Sequence, residues 1–181
     1  MVPVGAGPAP NDADEDEDED EEEDAMRNRR AIVGLGLLTL GAGLGAQSGG
    51  YPHANFIQPE GIRASASYTH VVEVTGGRTV YLAGQVAIDA GGNLVGPGDL
   101  RAQAQQVFEN LETALASVGG GFEHLVKTNI YVTDMADLAG LREVRSQYMA
   151  DPPPTSTLVQ VVQLAREGFL LEVKGIAVVP E

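Results

Sequence analysis

Between Leu171 and Val179 the chain reads LEVKGIAVV, and its side chains divide into two sets of different character. Leu171, Val173, Gly175, Ala177 and Val179 are all apolar or small, whereas Glu172, Lys174, Ile176 and Val178 are mixed. Strand side chains alternate with period two, so this run predicts a strand with one face committed to a core. Glu172 then sits on a strand with little polar company. TVYLAGQV, Thr79 to Val86, has the same β-branched and aromatic character, and PPTSTLVQV, Pro153 to Val161, adds hydroxyls to a third strand.

The intervening sequence supplies the other elements. SYTHVVEV, Ser67 to Val74, predicts a strand, and Thr75-Gly76-Gly77-Arg78 is a short connection that would fold it onto Thr79–Val86 as a hairpin. From Asp99 to Val118, the residues Ala104, Val107, Phe108, Leu111, Leu115 and Val118 recur at spacings of three and four. This predicts an amphipathic helix with Asp99 as N-cap, ended by Gly119 to Gly121. Leu125 to Thr133 is β-branched and strand-like. Thr133 or Asp134 would cap a second helix, running to about Met149, with Leu138, Leu141, Val144 and Tyr148 as its apolar stripe. Pro152 to Pro154 stops it. The order is ββαβαββ, an α+β pattern in which two helices cover one sheet face.

Charge is unevenly spread. Of 26 acidic residues, twelve lie between Asp12 and Asp24 without a base, so the net charge of -15 mostly describes that run. The remaining 14 acids face 11 bases, which leaves no basic excess for nucleic acid. Residues 1–25 read as a disordered acidic leader, because like charges repel and little apolar surface offsets the ordering entropy. Arg27, Arg29 and Arg30 precede the apolar stretch Ala31 to Ala46, and Ala46-Gln47-Ser48 follows with small residues. That order is the pattern of a secretory signal over 26–48. It predicts export through Arg27–Ser48, a true start at Met26, and no stable membrane span after processing, since sixteen apolar residues rich in glycine fall short of a bilayer's thickness. The plainer reading is a glycine-rich apolar linker or a membrane-associated tail, with the protein in the cytoplasm if the signal is not used. The folded domain is expected over 49–181.

Several chemistries are excluded. The chain has no cysteine, so there is no thiol nucleophile, thiolate metal site or disulfide. His53, His70 and His124 stand apart from other ligand-type residues at metal spacing, and no phosphate-loop or nucleophile-elbow motif occurs, so neither metal nor cofactor is called for. Glu172 is the best candidate for proton transfer, because a carboxylate on an apolar strand is exposed to desolvation, which raises its pKa. Pairing with Lys174, two residues along the same face, is the competing reading.

These blocks, with DLRAQAQQVFENLETAL and VKTNIYVTDMADL, resemble the Rid family of reactive intermediate deaminases, also called YjgF-type, from about Phe56 to Val179. The resemblance implies a chorismate-mutase-like fold with one mixed sheet, a homotrimer with clefts between subunits, and hydrolysis of a small enamine or imine. Glu172 aligns with the first glutamate of the family's EIEAIA block, associated with the attacking water. Tyr68 aligns with the tyrosine bordering the cleft, and Gly84 with the glycine of its GlyGln pair. Two positions depart from the active deaminases: Ala83 replaces a serine, and Ser156 stands where an arginine clamps the substrate carboxylate. Thr157 and Leu158 complete that segment, which would contribute backbone polar groups. The departures predict a substrate other than a free 2-imino acid, or a trimer that binds a metabolite or another protein without turnover.

Overall fold

The computed structural model describes residues 51–181. The predicted acidic leader, start site and export signal lie outside them. Six strands and two helices are present: β1 (Ala54–Ile57), β2 (Val71–Val74), β3 (Arg78–Gln85), α1 (Leu100–Ala116), β4 (Leu125–Val132), α2 (Leu138–Ser146), β5 (Thr155–Gln160) and β6 (Leu171–Val179). A four-stranded mixed sheet has the order β3-β6-β4-β5, with only β4 and β5 parallel. Both helices pack on one face of it. No helix among the described residues is long and apolar enough to cross a membrane.

The apolar set on β6 is the core face, as its alternation predicts. Leu171, Val173, Ala177 and Val179 are buried with Val107, Phe108, Leu111 and Leu115 of α1 and Leu141 and Val144 of α2. Each large aliphatic or aromatic side chain so enclosed contributes roughly 1.5–3 kcal/mol. Phe108 of α1 stacks on Tyr148, just past the end of α2, with ring centroids 5.3 Å apart. Asp99 caps α1, its carboxylate accepting from the Ala102 N–H at 3.0 Å. Gly119, at φ 76°, ends that helix in the left-handed region a side chain would resist.

Three expectations need correction. Ser67–Val74 and Thr79–Val86 do not form a hairpin: β2 pairs instead with β1, an unexpected strand, in a separate two-stranded sheet, and β3 pairs with β6. The nine-residue apolar β6 offers β3 a longer partner than the four residues of β2 could. The small sheet is placed so that Ala54, Phe56 and Val72 cover Val126, Ile176 and Val178 on the face of the main sheet opposite the helices. Ser67 to His70, Tyr68 included, lie in a loop ahead of β2 rather than in a strand. Helix α2 is capped by Asp137, whose carboxylate accepts from the Gly140 N–H at 3.1 Å, and not by Thr133 or Asp134. Asp134 is engaged in a local turn, accepting from the Ala136 N–H at 2.9 Å.

Candidate active site

The sheet face left open below the β1–β2 sheet carries Glu172. In register, Tyr131 of β4 lies beside it and Val159 of β5 beyond. Its other neighbour is Gly84. The β3–β6 register shifts between Leu82 and Gln85, a bulge that brings the Gly84 backbone against the Glu172 side chain. A Cβ on Gly84 would fall 2.7 Å from the Glu172 carboxyl carbon and closer still to Oε1, so the approach requires glycine. Glu172 is half-buried. It has no hydrogen bond or ion pair with any described side chain, and Lys174 does not pair with it. Lys174 is exposed and its ammonium lies 5.8 Å from the Tyr131 ring centroid, a cation–π arrangement. Ala83, next to Gly84 on β3, is exposed and carries only a methyl group.

A separate cavity of about 390 Å³ gathers Tyr68, Ser156 and Thr157 with Thr69, His70, Lys127 and Thr155. Its floor is β5, an edge strand whose outer backbone groups have no partner strand. Its wall is the loop preceding β2. Thr69 fixes that loop: it is buried, its hydroxyl donates to Pro153 O at 2.6 Å and its N–H to Pro154 O at 3.2 Å. Gln58 adds a brace by donating to Ser65 O and Tyr68 O, and His70 Nε2 donates to Arg63 O at 2.9 Å. The Tyr68 and His70 rings meet edge to face at 5.2 Å. Ser156 lies on the helix side of β5, with Thr128 Oγ1 donating to its Oγ at 3.1 Å.

The predicted residues therefore fall into two groups. Gly84 and Glu172 are together, as are Tyr68, Ser156 and Thr157. Leu158 joins neither group, because period two turns it inward beside Ile130 to pack against the core, leaving only its backbone for a ligand. Thr157 and Glu172 share the open face, but β4 lies between their strands and Thr157 is in register with Lys174, two residues from Glu172, so about 12 Å separates them at ~4.8 Å per strand and ~3.3 Å per residue. One small planar molecule cannot touch both within a single chain. Lys127 lies in the cavity without having been singled out in the sequence, and with it lies His70, the histidine nearest the cleft in the sequence reading, though expected there as a strand-surface residue. Lys127 is legible in hindsight as the outward residue of LVKTN, whereas His70 depends on the fold of a loop.

The sequence profile of the family described as Endoribonuclease L-PSP matches residues 59–179. The chain belongs to this family, the Rid or YjgF-type proteins. Protein DfrA of Myxococcus xanthus is 38% identical over 116 residues, which is 64% of this chain and 88% of that protein. A mouse protein named 2-iminobutanoate/2-iminopropanoate deaminase is 33% identical over 115 residues, 64% of this chain and 83% of its own. Among solved structures, the Rid protein YyfB from Yersinia pestis superposes with a TM-score of 0.65 at 34% identity, over 70% of this chain and 99% of that one. RidA from an Antarctic Psychrobacter gives a TM-score of 0.53 at 32% identity, over 68% of this chain and 98% of that one. The α+β architecture with two helices on a mixed sheet is thus the Rid architecture.

Proposed function

We propose that this Rid protein hydrolyses a small enamine or imine in a cleft completed by a second copy of the chain, with Glu172 handling water and protons. The observation that carries this reading is Glu172 itself: a half-buried carboxylate, free of ion pairs, held against a bare glycine backbone. Tyr68, Lys127, Ser156 and Thr157 of one subunit would then face Glu172 and Gly84 of the next in a homotrimer. The gap of about 12 Å within one chain supports such completion by a neighbour, as does the exposed surface around Tyr81, which is 78% accessible.

Imine hydrolysis suits so sparse a site. Water adds its oxygen to the C=N carbon while Glu172 takes a water proton. The same proton passes to nitrogen, giving a carbinolamine; Glu172 then takes the remaining hydroxyl proton and delivers it to nitrogen as the C–N bond breaks, so that a carbonyl compound and ammonia leave. Positioning and one proton-transfer group are enough, because a protonated imine is already electrophilic. Ser156 and Ala83 bear on substrate choice. An arginine holds a carboxylate through two charge-assisted bonds, whereas a serine offers one neutral donor, a loss of roughly 2–4 kcal/mol for a free imino acid. Uncharged or differently charged imines are therefore the expected substrates.

The test is ammonia release from 2-iminobutanoate and from uncharged imines by wild type, Glu172→Gln and Ser156→Arg. Turnover lost in Glu172→Gln, and acid substrates gained in Ser156→Arg, support the reading. The second reading, a trimer that binds a metabolite or another protein without turnover, is favoured by the two missing polar groups at Ala83 and Ser156. It prevails if no imine is hydrolysed and ligand-induced stabilisation survives Glu172→Gln. Export through Arg27–Ser48 belongs with this proposal, and the N-terminal mass of the native protein decides it.

A further inference from the structure

A second cavity lies apart from the predicted residues of the candidate active site. About 630 Å³ lies between α2 and the loop ahead of β2, with Arg142 and Arg145 on one wall and Phe56, Met149 and Pro153 on others. Thr69 borders both this cavity and the smaller one, and its bonds to Pro153 O and Pro154 O form the partition between them.

Arg145 is a guanidinium with too few acceptors. It is mostly buried, and burial lowers its pKa from the ordinary arginine value. Its two terminal nitrogens both donate to one atom, Ser67 O, at 3.1 Å each, and its Nε is buried with no acceptor. No carboxylate pairs with it among the described residues. Asp151 shares the cavity but forms no ion pair with either arginine. A buried charge without a counter-charge is costly, and a guanidinium offers five donors in a fixed fork that suits a carboxylate. Arg142 stands one turn earlier on α2, exposed and likewise without an ion pair among the described residues, so two positive charges meet in one cavity. The apolar walls favour a ligand that joins an apolar body to its charge over one that is charge alone.

We propose that this cavity is a second binding site, distinct from the cleft, that takes a small organic carboxylate. The carboxylate sits on Arg145 and Arg142, and the apolar body lies against Phe56, Met149 and Pro153. The placement gives the chain an oxyanion site away from position 156, where the arginine is absent.

The experiment is an amide-resolved NMR titration of the full chain with 3-phenylpropanoate, with 3-phenylpropanamide as the uncharged isostere and inorganic phosphate as charge without an apolar body. The expected result is saturable, millimolar binding with shifts at 65–69 and 142–153, and about tenfold weaker binding of the amide, as befits loss of a charge-assisted pair. Phosphate should also bind more weakly. Arg145→Gln should abolish binding, but that residue also tethers Ser67 and its loss can disturb the loop. Arg142→Gln, at an exposed position without such a tether, keeps the test independent of folding and should weaken binding several-fold. Equal affinity for the amide or for phosphate, shifts centred on 155–157 and Glu172, or undiminished binding by Arg142→Gln would each overturn the assignment. None of these outcomes depends on whether the cleft turns over imines.

Discussion

Gly84→Ala separates a positioned carboxylate from a merely exposed one. The new Cβ would lie 2.7 Å from the Glu172 carboxyl carbon and 3.0 Å from its Cγ. Carbon atoms pack at about 3.5–4.0 Å, so the carboxyl group must retreat by about 1 Å. Glu172 is flexible enough to yield, at a rotamer cost of roughly 0.5–1.5 kcal/mol. The backbone itself does not object, because Gly84 is not among the glycines with positive φ, and alanine there returns about 0.4–1 kcal/mol through the unfolded chain. Folding stability should therefore change by less than about 1 kcal/mol. A misplacement near 1 Å can cost about 100-fold in rate, so turnover should fall by one to two orders of magnitude. The assay pairs urea unfolding with ammonia release from whichever imine the wild type accepts. Full turnover in a well-folded Gly84→Ala protein would refute the idea that Glu172 acts from the position the glycine holds it in.

Other expectations concern stability. Gln103 is fully buried, donates to Gly168 O at 2.7 Å and Gly96 O at 3.2 Å, and accepts from the Leu170 N–H at 2.9 Å. Gln103→Leu should cost about 3 kcal/mol in urea unfolding, since it strands buried backbone groups; a neutral outcome would mean water or rearrangement satisfies them. Thr69→Val should cost about 1–2 kcal/mol and speed proteolysis between Gln58 and His70, and an unchanged digestion pattern would show that the Pro153 bond does not hold the loop. Arg101 hydrogen-bonds Glu143 at 2.6 Å, and that bond and the cation's charge hold the Glu143 pKa below the ordinary carboxylate value. Its contribution is present above the unfolded-state pKa and is lost as pH falls through the folded one. Glu143→Gln should thus flatten the acid limb of stability against pH without altering stability trends in the alkaline range, and an identical acid limb would exclude this pair as a source.

Much of the scaffold was legible because its signals are local. The period-two split of LEVKGIAVV identified the core face of β6, the three-and-four spacing identified α1, and Asp99 and Gly119 marked its ends. Errors arose where several residues offered the same local signal or where a distant partner decided. Asp134 and Asp137 are both capable caps, and Asp134 is spent on a turn. The hairpin reading failed because Gly76-Gly77 is equally compatible with a chain that leaves one sheet for another, and β6 competes for β3. Strand β1 is four residues long beside a loop, too short for any period to register. In the site, Leu158 could have been assigned to the core by parity, since the alternate residue of an apolar-flanked strand turns inward and its register partner is the buried Ile130. The meeting of Gly84 with Glu172 could not have been read, because it follows from a bulge and a pairing between strands some ninety residues apart in sequence, as positions 84 and 172 state.

Gln103 grips the chain on both sides of Phe169, at Gly168 O and at Leu170 N, immediately before β6 begins. Strand parity is a binary variable: entry one residue early or late would turn Glu172 into the core and expose Leu171 and Val173. A single amide on α1 thereby acts as an alignment pin for the last strand, and the outward aim of the candidate catalytic carboxylate is inherited from a helix it never touches.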